Sequence, residues 1–227
     1  MTRRAPDLEE VSVVIVGSLN PGIFHPEWFR RQEILAPAEA EKAMIKIVSP
    51  EVTEIQFLDM KLDVFSTRLV LETKDVSRAE KLQDIVVNIL AKLPQTPVTA
   101  CGINNAIQFD LNDESYWHKI GHTLAPKDLI WEPLLQKPGL ATMMIKGRLT
   151  ENFVGDINVT VAPSAPTTKL THGLFISSNY HFPVPQDDSA TPHSERVVKF
   201  IQEMWKPALE MARSVGYRIL DQIKPDK

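Results

Sequence analysis

A β-rich string followed by alternating apolar residues and an amphipathic helix occurs twice in this chain, and that repetition limits its folds most. Val13-Val14-Ile15-Val16-Gly17-Ser18-Leu19 opens the first half and Met143-Met144-Ile145-Lys146-Gly147-Arg148-Leu149 the second. Short connections between strands imply antiparallel sheet, and amphipathic helices bury their apolar stripe on a sheet face. The expected fold is α+β: antiparallel sheet with helices on one face, with two related strand–hairpin–helix halves as the arrangement the repetition suggests. The expected organisation is a first half over 1–97, a linking strand and short helices over 98–138, and a second half over 139–227, all in one compact unit. The strings at 11–18 and 140–148 are expected to hold equivalent places in the two halves.

Local patterns place most elements. Val11–Val16 is rich in β-branched residues and reads as a buried strand. Pro26 suits the first position of a short helix running to about Ile34. Residues 36–50 give no clear pattern. From Ile55 to Val64 apolar residues alternate with Asp59, Lys61 and Asp63, which reads as one half-buried strand, turning back at Ser66-Thr67. Ser77-Arg78-Ala79-Glu80 matches a capping box, ahead of the helical stripe Leu82, Ile85, Val86, Ile89, Leu90 and Leu93. Val98–Phe109 reads as a strand interrupted at Gly102 and Asn104-Asn105. Asn112 or Asp113 caps a helix to about His122, and Pro126 opens another that ends near Pro133. Strands follow at 140–148, 154–161 and 170–178. A last helix runs from Ser194 to Ile223, with Pro207 expected to kink it.

Composition narrows the partners. The 227 residues carry a net charge of −4, and no basic stripe of the kind that phosphate backbones require, so nucleic acid is not an expected partner. The apolar runs are far too short for a membrane span. The single cysteine, Cys101, excludes an intramolecular disulfide framework and suits a reducing compartment, so the expected location is the cytoplasm. The N-terminal residues lack the apolar segment of a signal peptide.

Catalytic signatures are sparse. Glu114, His118 and His122 stand four residues apart on a helix, a spacing that stacks them on one face and could offer a metal two imidazoles and a carboxylate. The commoner meaning of that spacing is a polar helix face, and Lys119 stands where a zinc protease needs its glutamate. Asn179-Tyr180-His181 and His193 flank a loop with Asp187-Asp188, partial material for an acid/base site. No phosphate-binding loop, dinucleotide fingerprint or serine nucleophile elbow is present, and no cofactor is expected. Aromatics gather at Phe24, Trp28 and Phe29, and the last helix carries Trp205 and Leu209 beside its main stripe. Phe24, Trp28, Trp205 and Leu209 are therefore candidates for partner contact, against the simpler alternative that they fill the chain's own core.

Three strings, Leu19–Phe29, Gly102–Asn105 and Trp117–Lys127 with Trp131, resemble a group of uncharacterised bacterial proteins of similar length. The resemblance spans nearly the whole chain. It implies a bacterial, cytoplasmic, single-unit protein and no activity, cofactor or catalytic residue. The expected function is a non-enzymatic interaction or assembly protein, as a homo-oligomer or with a protein partner. The alternatives are a metal-dependent hydrolase using Glu114, His118 and His122, and a small-ligand binder with a cleft between the halves.

Overall fold

The computed structural model describes residues 4–186 and 191–224. All nine strands form one antiparallel sheet, and the helices pack on it. In chain order the elements are β1 (Leu8–Gly17), α1 (Pro26–Arg31), α2 (Pro37–Glu41), β2 (Met44–Val48), β3 (Val52–Phe57), β4 (Met60–Phe65), β5 (Arg68–Thr73), α3 (Ala79–Lys92), β6 (Val98–Asp110), α4 (Glu114–Leu124), β7 (Met143–Arg148), β8 (Asp156–Pro163), β9 (Gly173–Pro183) and α5 (His193–Gln222).

The spatial order is β2-β3-β4-β5-β1-β6-β9-β8-β7. About the central β1–β6 pair this order is a palindrome. Each side is a long strand, then a strand that leads into a helix, then the two remaining strands of a three-strand meander. By position β1 matches β6, β5 matches β9, β4 matches β8 and β3 matches β7. The expected equivalence of 11–18 with 140–148 is therefore corrected: β1 lies at the centre and β7 at the edge. Local strings resemble each other wherever apolar strands occur, whereas a strand's place is set by its pairing. The halves meet through ten residue pairs from Leu8↔Gln108 to Gly17↔Val98, so they share one sheet. β2 is an extra strand, covering β3.

Side-chain alternation sorts the sheet into two faces. Val11, Val13 and Ile15 of β1, Leu69 and Leu71 of β5, Cys101, Ile103, Ile107 and Phe109 of β6, and Ile176 and Tyr180 of β9 are buried. They meet α3 and α5, which also pack against each other. The stripe Leu82, Ile85, Val86, Ile89 and Leu90 is buried on α3. Helix α5 lies close on the sheet at Gly216, where an added Cβ would stand 2.9 Å from the Phe109 ring and 3.1 Å from Ile107 and Ile176. Pro207 lies inside α5 without ending it. A polar link joins the long helix to the sheet: Arg213 donates to Glu9 at 2.6 Å, and Asn105 donates to the same carboxylate at 2.9 Å.

Among the described residues the other face of the sheet carries no helix, and it is polar. One register row crosses all nine strands: Met44, Gln56, Lys61, Glu72, Ser12, Asn104, Asn179, Asn158 and Lys146. Its centre is a hydrogen-bonded chain in which Asn158 donates to Asn179, Asn179 to Asn104, and Asn104 to Ser12. β6 thus runs without the interruption expected at Gly102 and Asn104-Asn105. Asn104 satisfies its amide across the sheet instead of turning the chain.

Several local expectations are also revised. The alternation of 55–64 is a hairpin, not one strand, because Leu58 and Asp59 both adopt positive φ and make a two-residue turn with Phe57 opposite Met60. Ser77 does not cap α3. Asp75 caps the 3₁₀ turn that leads into it, accepting from the Ser77 amide at 3.0 Å and the Ser77 hydroxyl at 2.7 Å. Residues 127–135 form successive turns rather than a helix, and Pro133 within them lacks the donor that a continuing helix would need. The turn at Ser66-Thr67 and the cap of α4 at Asp113 stand as expected.

Candidate functional site

The aromatic candidates are core residues. Phe24 and Trp205 are 0% and 1% exposed, and Trp28 and Leu209 are half-buried against the same cluster. Phe24, Trp28 and Phe29 meet in T-shaped pairs and Phe29 tilts against Phe57, pinning this segment to β3. The turn chemistry of Asn20-Pro21-Gly22 folds this segment back over the sheet, so Phe24 and Phe29 fill a core and Trp28 lies half-buried beside them.

The polar row on α4 does not converge. His118 Nε2 lies 3.7 Å from Glu114, while His122 Nε2 points to Asp128 at 3.2 Å. Each imidazole has its own carboxylate, and all four side chains are open to solvent. Among the described residues no group of three or more His, Cys, Asp or Glu is placed to hold a metal ion. His181 lies on the uncovered face opposite Gly102 and Asp156. His193 begins α5, and Asp187 and Asp188 lie outside the described residues. Cys101 is fully buried, and burial pushes its thiol well above its ordinary value, which makes it inert.

The most unusual surface follows α4. Tyr116 and Ile120 seat this helix on the second core cluster, and the Trp117 indole donates to the Gly173 carbonyl at 3.2 Å. Lys127 then ends the helix: its ammonium donates to the Gly121 and Ala125 carbonyls, and burial lowers its pKa. The chain beyond is tied by turns, with Trp131 and Glu132 amides on the Lys127 carbonyl and Leu134 and Leu135 amides on that of Trp131. A cavity of about 180 Å³ lies between this segment and α4, lined in part by Trp117, His118, His122 and Leu140.

Five large apolar side chains in this segment face outward: Leu129 is 92% exposed, Leu134 75%, Ile130 62%, Leu135 52% and Trp131 48%. Apolar side chains exposed singly are ordinary, whereas five within one short segment are unusual for a water-facing surface. Trp131 and Leu135 line one cavity with Leu140, Ala141 and Thr142, which places the patch near the start of β7. That strand is an edge of the sheet, and Met144 and Ile145 are also exposed. Sequence reasoning missed this site by assigning the apolar run to a helix. The prolines around it were the signal that no helix would form to bury it. No helix among the described residues is long and apolar enough to cross a membrane. Comparison with protein-family models and with curated proteins finds no match for this chain.

Proposed function

We propose that this protein is a non-enzymatic interaction protein of the bacterial cytoplasm, which binds another polypeptide through Leu129–Leu135 and the adjoining edge β7. The observation that carries the reading is the run of five exposed large apolar residues within seven positions. Such a surface is costly in water, at roughly 25 cal/mol per Å² of apolar area, and burying it against a partner recovers that cost. The edge strand adds unpaired backbone donors and acceptors of the kind used in strand addition. The single buried, unreactive cysteine fits a reducing compartment. The separate pairing of His118 and His122 gives the metal-hydrolase reading less support. The β1–β6 pairing that joins the halves likewise gives little support to a ligand cleft between them.

Site-specific photocrosslinking in the native host tests this. A photoreactive residue at Leu134 is expected to yield discrete protein adducts, while one at the exposed Lys199 of α5 yields none. Equal, diffuse labelling at both positions, or no adduct at Leu134, refutes the reading.

A further inference from the structure

The two ends of the sheet differ in one respect. In the first half the outer meander strand β3 is covered by β2, whereas its counterpart β7 carries no neighbour on its outer side. The chain stretch that corresponds to β2, between the helix and the meander, is the exposed apolar segment 129–135. By internal comparison, the second half lacks one antiparallel strand.

Strand direction decides which strand fits. Every neighbouring pair is antiparallel, and nine is an odd number, so the two edges β2 and β7 run the same way. Joining β7 of one molecule to β2 of another head-to-tail would create a parallel pair and an open-ended chain of subunits. Joining β7 to a second β7 about a two-fold axis creates an antiparallel pair and a closed dimer. The edges also differ in protection. β2 carries a register shift between Ile45 and Ile47, a distortion that blunts an edge. β7 pairs in unbroken register from Met143↔Val161 to Arg148↔Asp156, and its Lys146 is held by Asp156 at 2.8 Å.

An antiparallel β7–β7 pair needs its two-fold axis normal to the sheet, so the helix-bearing faces of the two copies align, with Ile145 of each β7 on that face. Leu129, Ile130, Trp131, Leu134, Leu135 and Ile145 supply exposed apolar side chains that such a pairing can bury, and Met144 adds one on the opposite face. We infer that β7 and the Leu129–Leu135 segment form an isologous interface with a second copy of this chain, which continues the sheet through a β7–β7 antiparallel pair. The inference rests on the interaction reading above and names its partner.

The test uses the full chain with single cysteines at each position of β7 and, as a control, of β2. Cys101 is buried and silent. Mild oxidation is expected to give disulfide dimers with a sharp maximum at one or two neighbouring β7 positions, those beside the two-fold, and none at β2. Light scattering is expected to give twice 25.6 kDa. Proline is then placed separately at Met144 and Ile145. Neighbouring residues of an edge strand point their amides to opposite sides. One of the two variants is therefore expected to be a folded monomer by circular dichroism and scattering. A monomer of the parent chain that still crosslinks to other proteins at Leu134 overturns self-pairing and keeps the interaction reading. A monomer with no crosslinks overturns both. A dimer whose disulfides form at β2, or without positional preference, overturns the assignment to β7.

Discussion

The Glu9–Arg213 pair joins residues 204 positions apart, and its removal has a calculable cost. The Glu9 side chain is 10% exposed and that of Arg213 37%. Arg213→Met keeps the aliphatic packing but leaves a nearly buried carboxylate with only the Asn105 amide as donor. Breaking a fully buried pair costs about 3–5 kcal/mol, most of it the stranded charge. The partial exposure of Arg213 and the surviving Asn105 bond reduce this, so the expected loss is about 2 kcal/mol. Glu9→Gln removes the charge and keeps an acceptor for Asn105, and about 1 kcal/mol is expected. The double variant has no stranded charge. Its loss is expected to fall short of the summed single losses by about 1 kcal/mol or more, well beyond the ~0.3–0.5 kcal/mol scatter of independent sites. Urea unfolding of the four proteins measures all three quantities. Additive losses, or a Glu9→Gln change larger than Arg213→Met, would refute the idea that the stranded carboxylate sets the cost.

Gly216→Ala sets a helix-propensity gain of about 1 kcal/mol against overpacking of roughly 1–3 kcal/mol, because the new methyl meets Phe109, Ile107 and Ile176. A net loss in urea is expected, and a stabilised variant would show that α5 lifts off the sheet without strain. Asp75→Ala should lower the denaturation midpoint more than Ser77→Ala. The bonds from Ser77 depress the Asp75 pKa, so its contribution is present above the ordinary value of 3.8 and is lost as pH falls through the folded value. The two variants should therefore converge in strong acid. Glu72 has a raised pKa, first through burial and then through Glu10. Its folded form is favoured below the ordinary 4.5 and penalised as pH rises through the folded value. Glu72→Gln should leave the midpoint unchanged near pH 3 and raise it at pH 7; the reverse order would place the carboxylate in a more favourable setting than its neighbours allow.

What was legible in the sequence depended on the range of the interaction. The α3 stripe could be read because its 3.6-residue period is local, and all five of its leading positions are buried. The α4 cap at Asp113 was equally local. The hairpin at Leu58-Asp59 was hidden because Leu58 is not a usual turn former and Asp59 fits the polar phase of the alternation, which has the same period before and after it. The register that sets Asn104 between Ser12 and Asn179 joins strands far apart in the chain, and no local pattern announces it. The surface at 129–135 was obscured for the opposite reason. Its composition is that of a core, and only the folded chain shows that nothing covers it.

The palindromic sheet has a consequence for synthesis. Once residue 92 has left the ribosome, β2 to β5, β1 and α3 can form, because each of these strands pairs with others already made. β1 would then stand as a bare edge, presenting Val11–Val16 without a neighbour until β6 emerges, and β6 in turn waits for β9, some 70 residues later in the chain. For that longer interval the bare edge of the nascent sheet is β6, an unpaired strand of the type prone to pair with a neighbouring polypeptide. The eleven-pair β6–β9 junction is thus the late-closing seam of the molecule. Translation speed between Asp110 and Pro183 therefore governs how long the seam stays open.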